Sequence, residues 1–274
     1  MKRLMPGPWG AALVSRSPGL TGFEVSVAGV LARQIRDALV LAAGNGDRFH
    51  NGVGQSKLLQ PILGEPIIIR TLTTARDAGI RRVEVVLGYE ADSLRAVVEA
   101  AVPAGLTVHF CFNPEWRLEN GVSVLAARDR FRNRFALVMG DHLFEAPILA
   151  RLCAHPARRD ECLLAVDSRP APPEVAAEAT KVRMTGSHVT AIGKALTTYD
   201  ALDTGMFVCA PSLFAAIDAS RAAGDTTLSG GIRQLAARGL IRGVDIGDAA
   251  WYDIDTMDDL QHAEGLLAEE ARTA

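Results

Sequence analysis

Features that would direct a chain to thiolate–metal chemistry, a membrane or nucleic acid are scarce in this sequence. It has four cysteines, Cys111, Cys153, Cys162 and Cys209, widely spaced and without a CxxC pair. That spacing reads as reduced, mostly core thiols and fits a cytoplasmic protein. Its six histidines form no HxxxH or HExxH pattern, which argues against a zinc site. No uncharged apolar run reaches the roughly 18 residues that a membrane helix needs. A formal net charge of −3 over 274 residues argues against a general nucleic-acid surface, while leaving room for a few lysines to hold a small anion.

What is present is enough apolar material, 49% of the residues, to bury a sizeable core. Residues 1–36 stand apart. They carry Lys2, Arg3, Arg16, Arg33 and Arg36 against the single acid Glu24, and the run Leu4 to Ser15 is broken by Pro6, Gly7, Pro8 and Gly10. That is a poor core for a signal peptide. The stretch reads as a loosely ordered extension, or as an over-long start to the reading frame, ahead of one domain over 37–274.

Within that domain the segment 37–43, DALVLAA, is apolar after its first residue and suits a strand buried on both faces. Strands are expected again at 82–87, 107–112 and 135–139. Helices are expected at 66–78, at 92–101 with Asp92 as a cap, and from 121 to 127. Such alternation predicts an α/β fold with a doubly wound, mostly parallel sheet. Beyond it the rhythm changes. Pro170, Pro172 and Pro173 break the chain, and a hairpin is expected around Gly186-Ser187. Further strands are expected at 163–166, 201–208 and 244–246. Helices are expected at 212–223, at 228–238 and from Met257, where Thr256 and Asp259 form a capping box.

Four groups of residues carry candidate chemistry. The first is Leu41-Ala42-Ala43-Gly44-Asn45-Gly46-Asp47-Arg48-Phe49, with Lys57-Leu58-Leu59 following. Small residues after a buried strand let a nucleotide approach the backbone, and glycines allow an anion-cradling turn. Phe49 stands where the dinucleotide fingerprint needs a third glycine, and no G-K-[ST] follows, so a dehydrogenase and a P-loop are excluded. The second group is Gly140-Asp141-His142. A carboxylate at the C-terminal end of a central strand overlooks the ligand crevice of such sheets, and its hard oxygens suit Mg²⁺. The third is Trp251-Tyr252-Asp253-Ile254-Asp255-Thr256, whose two alternating acids share one face. The fourth is Glu119-Asn120-Gly121-Val122-Ser123, a turn and short hydroxyl at a helix start, which suit either a base contact or a cap.

These motifs resemble those of the sugar-phosphate and polyol-phosphate nucleotidyltransferases, which have a Rossmann-like, GT-A-type fold. A fifth stretch narrows the likeness. Residues 178–208, EATKVRMTGSHVTAIGKALTTYDALDTGMFV, resemble the inositol-1-phosphate cytidylyltransferases, and the N-G-x-S and M-G-D-H segments match that branch. The resemblance runs from about Asp37 to Leu266. It implies transfer of CMP from CTP to a small phosphorylated polyol such as inositol 1-phosphate, with release of pyrophosphate. Leu41, Ala42, Ala43, Gly44, Gly46, Asn120, Gly121, Ser123 and Asp141 would bind the nucleotide. Arg48 and Lys57 would balance triphosphate charge, and Asp141 and Asp253, with Asp255 nearby, would hold Mg²⁺. Lys194 and Lys181 would meet the acceptor phosphate, and Asp203 a hydroxyl, in a small β-rich part. The family usually has Thr or Ser at position 47 and a shorter loop, so Asp47 and the inserted residues 50–55 depart from its pattern. Another phosphorylated acceptor, a phosphonate, a non-catalytic nucleotide-sugar-binding role and homo-oligomerisation all stay open at this point.

Overall fold

A computed structural model describes residues 34–46, 49 and 55–273. The expected extension, 1–36, lies almost wholly outside these residues. Its last part does not behave as an extension: Ile35 is buried and the Arg36 carbonyl accepts from the amides of Arg81 and Arg82.

The strands are β1 Asp37–Ala42, β2 Pro61–Ile62, β3 Glu65–Pro66, β4 Arg82–Leu87, β5 Thr107–Phe112, β6 Phe135–Met139, β7 His142–Phe144, β8 Cys162–Asp167, β9 Lys181–Thr185, β10 His188–Gly193, β11 Ala201–Cys209, β12 Ile241–Asp245 and β13 Trp251–Asp253. The helices are α1 Ile67–Asp77, α2 Ala91–Ala100, α3 Asn120–Ala126, α4 Ala146–Ala154, α5 Pro173–Glu178, α6 Ser212–Ala222, α7 Leu228–Ala236 and α8 Met257–Thr273. Nine strands form the main sheet in the order β5-β4-β1-β6-β11-β8-β12-β10-β9.

From β5 to β6 the sheet is parallel, as the alternating pattern predicts. Its inner strands β4, β1 and β6 are buried on both faces, while β5 is a partly exposed edge: in β1, Ala38, Val40 and Ala42 point to the side covered by α1, α2 and α4, and Leu39 and Leu41 to the side covered by α3, α6 and α7. The second half is mixed. β11 runs antiparallel to both β6 and β8, and the β9–β10 hairpin pairs antiparallel at the far edge. The expected β-rich part is therefore the continuation of the one sheet. Parallel neighbours need helical crossovers, whereas the two-residue turn between β9 and β10 permits only antiparallel pairing, and β11 returns to pair antiparallel with the start of β9.

Two helix starts differ from expectation. Asp92 lies inside the first turn of α2, and the cap is Glu90, in left-handed conformation at φ 47°. The proline cluster at 170–173 opens α5 as well as breaking the chain, because a proline in a first helical turn forfeits no hydrogen bond. Helix α4 was not foreseen. A two-stranded ribbon, β7 with β13, sits at the C-terminal ends of the parallel strands. No helix among the described residues is long and apolar enough to cross a membrane.

Candidate active site

The glycine loop leaves the C-terminal end of β1. Gly46 is left-handed, at φ 65°, and a Cβ there would lie 3.3 Å from Lys57 Cγ. Leu41, Ala42, Gly44 and Gly46 line a cleft together with Lys57 and Asp141. Ala43 is buried behind it, and its carbonyl accepts from Tyr89 N. Arg48 and Asp47 lie outside the described residues, as do 50–54. Lys57 opens a single 3-10 turn, Lys57–Leu59. The turn is tethered from behind, because the amide of Ser56 donates to Glu90 Oε2 at 2.6 Å.

Asp141 follows β6 through Gly140, whose amide extends the parallel ladder to Leu41 O. A Cβ at Gly140 would lie 2.7 Å from that oxygen, so the close approach needs glycine. Thr71 on α1, fully buried, braces the turn by its hydroxyl, 3.1 Å from Gly140 O. The ribbon then aligns the second acid: β13 pairs with β7 so that Asp253 stands opposite His142. Asp141 Oδ1 lies 3.0 Å from His142 Nδ1, and Asp253 Oδ1 lies 3.6 Å from the same nitrogen. One ligand atom each of Asp141, His142 and Asp253 fall within 4.8 Å of one another. Asp255 stands apart from this cluster. Its Oδ1 lies 3.4 Å from Lys57 Nζ, which also contacts Asp141 Oδ2 at 2.6 Å and donates to Ile254 O at 2.9 Å.

Burial opposes every one of these charges, and the neighbours decide the outcome. Asp141, Asp253 and Asp255 outweigh burial at Lys57 and raise its pKa. Lys57 and His142 outweigh it at Asp141, which is held well below the usual carboxylate range. At His142 the attraction of Asp253 and Asp141 prevails and lifts the imidazole to about 9. Asp253 goes the other way, raised by burial and by the like charges of Asp141 and Asp255.

The ribbon has its own anchor. Asp167, buried at the end of β8, accepts from Trp251 Nε1 at 3.0 Å and from Arg169 N, Nε and Nη2. Arg169 reaches on to the carbonyls of Asp248 and Ala249. Below the ribbon, Thr256 and Asp259 exchange the reciprocal bonds of a capping box at the start of α8.

A cavity of about 280 Å³ opens on the other side of Asp141, with Glu178, Thr180, Lys194, Asp203, His142 and Asp253 on its wall. Asp203 accepts from Gly205 N, and burial pushes its carboxyl up to about 6. Lys181 is withdrawn from this wall: it is buried, and its ammonium donates to the Lys194 carbonyl at 2.7 Å. The ammonium thereby supports the Lys194 turn. Asn120 lines the cavity, and its Oδ1 accepts from Leu228 N. Gly121 lets α3 meet the start of α7, where a Cβ would come within 2.6 Å of Thr226 O. Ser123 lies a layer back, its Oγ accepting from the buried Asn113 at 3.0 Å. Glu90 and Asn113 were not singled out in the sequence, and His142 and Glu178 were named there only within their motifs, without roles of their own. For His142 there was a signal, its place directly after Asp141 in the M-G-D-H segment.

A half-parallel sheet with a glycine loop after β1, and two acids facing each other across the adjoining crevice, defines a GT-A-type nucleotidyltransferase. Residues 38–236 match the family model described as a MobA-like NTP transferase domain, and the chain belongs to that family. It is a nucleotidyltransferase. It is 34% identical over 234 residues, 84% of its length, to the bifunctional IPC transferase and DIPP synthase of Rubrobacter xylanophilus, of which it covers 51%. It is 29% identical over 245 residues to the Aquifex aeolicus protein of the same description, covering 53% of it. The chain thus spans about half the length of the curated relatives it matches. Among solved structures it resembles the inositol-1-phosphate CTP transferase from T. maritima, with a TM-score of 0.73 and 24% identity over 86% of this chain and 96% of that one.

Proposed function

We propose that this protein is a Mg²⁺-dependent cytidylyltransferase that joins CMP from CTP to a small phosphorylated polyol of the inositol 1-phosphate type. The products would be a CDP-polyol and pyrophosphate. One observation carries the reading: the cleft of the glycine loop and the cavity holding Lys194 and Asp203 share Asp141 and Asp255 on their walls. Two anionic substrates bound in them would meet at Asp141. The T. maritima structure that the fold resembles, described as an inositol-1-phosphate CTP transferase, supports the choice of CTP and of an inositol phosphate.

The donor set fits a hard divalent cation, because two carboxylates with cation-sized spacing face each other. Asp141 and Asp253 would hold it, and when bound it would neutralise phosphate charge at the reacting α-phosphoryl group. The protein's own side chains do the rest. Backbone amides of the 43–46 loop cradle the triphosphate. Lys57, kept charged by three acids, places a cation beside it. Lys194 receives the acceptor phosphate and Asp203 a hydroxyl. An acceptor phosphate oxygen then bonds to the α-phosphorus while the bond to the β-phosphate oxygen breaks, and pyrophosphate leaves. No protein nucleophile is needed, and catalysis is positioning plus charge balance. Such a reaction belongs where CTP and reduced thiols coexist, the cytoplasm, and the four cysteines are free.

The test is a pyrophosphate-release screen of four NTPs against inositol 1-phosphate, other cyclitol phosphates, sugar 1-phosphates, phosphocholine and phosphonates. CTP with inositol 1-phosphate should give the highest kcat/KM. A preference of tenfold or so for another pair, about 1.4 kcal/mol, would overturn the assignment.

A further inference from the structure

One member of the acid cluster, His142, has no part in the chemistry described so far. Its imidazole is fixed by what surrounds it. The indole of Trp251 lies alongside, 6.1 Å between ring centroids and 23° from parallel. Gly205 is left-handed, at φ 74°, and a Cβ there would come within 2.5 Å of Nε2 and 2.6 Å of Cδ2. Only glycine leaves room for the ring in this place. Nδ1 is thereby aimed between the two acids, 3.0 Å from Asp141 Oδ1 and 3.6 Å from Asp253 Oδ1.

We propose that His142 Nδ1 is the third protein ligand of the cation site and gives it a preference for Mn²⁺ over Mg²⁺. The inference rests on the reading that Asp141 and Asp253 hold the cation. A site of carboxylates alone offers hard oxygens, which suit Mg²⁺. Once the ion displaces the proton that the two acids favour on it, the imidazole adds a softer donor that Mg²⁺ uses poorly and transition-metal ions use well. Had His142 served only to orient the carboxylates by hydrogen bonds, it would help both ions alike. The ribbon register that sets His142 opposite Asp253 makes ligation available to the ring, because it brings one potential ligand atom of each of the three residues within 4.8 Å of the others.

The test uses the full chain and Mn²⁺ itself, alone and with CTP, in the wild type, Asp141→Asn, His142→Gln and His142→Asn. Pulsed electron paramagnetic resonance detects a nitrogen bonded directly to Mn²⁺, and Mg²⁺ competition gives the relative affinity. The wild type should show the nitrogen coupling. Both His142 variants should lose it, with Mn²⁺ affinity down roughly tenfold or more and Mg²⁺ affinity little changed. Mn²⁺ that binds through Asp141 without nitrogen coupling in the wild type would refute ligation by His142 and leave the carboxylate site standing. Absence of any Asp141-dependent Mn²⁺ binding would overturn both. Equal loss of the two ions in folded His142 variants would overturn the selectivity. The wild-type spectrum decides ligation even if a variant fails to fold.

Discussion

Replacing Asp167 with Asn should destabilise the protein and slow it, although Asp167 touches neither substrate cleft. The carboxylate is 2% exposed and accepts four hydrogen bonds, three from Arg169 and one from Trp251. An amide of the same shape has one accepting oxygen and puts an NH₂ against the donors on the other side. Two charge-assisted bonds are lost, at about 1.5 kcal/mol each, and the other bonds lose their charge. The Arg169 side chain is 32% exposed, so water recovers part of the loss. The expected net cost is about 2–3 kcal/mol, or about 5–10 °C in Tm for a domain of this size. Acid should shrink this difference. Burial alone would raise the Asp167 pKa, but Arg169 and Trp251 outweigh it and the folded value is lowered. Its stabilisation is therefore complete above the usual aspartate value of about 4 and is lost as pH falls through the lower, folded value. Urea unfolding of both proteins at neutral pH and at about pH 4 and below measures this. A gap under about 0.5 kcal/mol at neutral pH, or one that persists undiminished in acid, refutes the reasoning. Because Trp251 begins the strand that ends in Asp253, kcat should also drop several-fold while KM for CTP holds.

Three further outcomes are expected. Asp141→Asn should lower kcat roughly 10²-fold or more, Asp253→Asn likewise, and the double variant should cost far less than the product, as measured by pyrophosphate release. Lys194→Ala should raise KM for the acceptor and leave KM for CTP alone. Lys181→Ala should act the same way more weakly, because its ammonium reaches the acceptor side only through the Lys194 carbonyl. Gly121→Ala should cost about 1–3 kcal/mol in thermal unfolding, since the added methyl meets backbone at Thr226 and Thr227, which cannot swing aside as a side chain would.

The sequence made the parallel half of the sheet legible because β1 and β6 are apolar on both faces, and a run of that kind between helical patterns has few other homes. The direction of β11 was not legible, since an apolar strand reads the same up or down. Neither was the ribbon: β7 and β13 have three residues each, too few to show a period. Asp141 and Asp253 stood out as acids in the expected places, but their register across the ribbon, and the imidazole between them, depend on that pairing. The search for histidines by mutual spacing passed over His142, whose partners are carboxylates. The bond from Lys181 to the Lys194 carbonyl was not legible either, because the charge of a lysine is visible in sequence and its burial is not.

Asp141 and Asp253 come from distant parts of the chain, and only the docking of β13 on β7 brings them within reach of one ion. The glycine loop, by contrast, draws on β1 and the residues just after it. Any ligand that spans both sites, such as a metal–nucleotide complex, ties the C-terminal segment to the N-terminal one. Occupancy then adds RT ln(1 + [L]/Kd) to the free energy of every opening that breaks the site, undocking of the ribbon included. Hydrogen exchange in the ribbon and the first turns of α8 should slow on binding, and so should those amides of the parallel strands that exchange only by global unfolding.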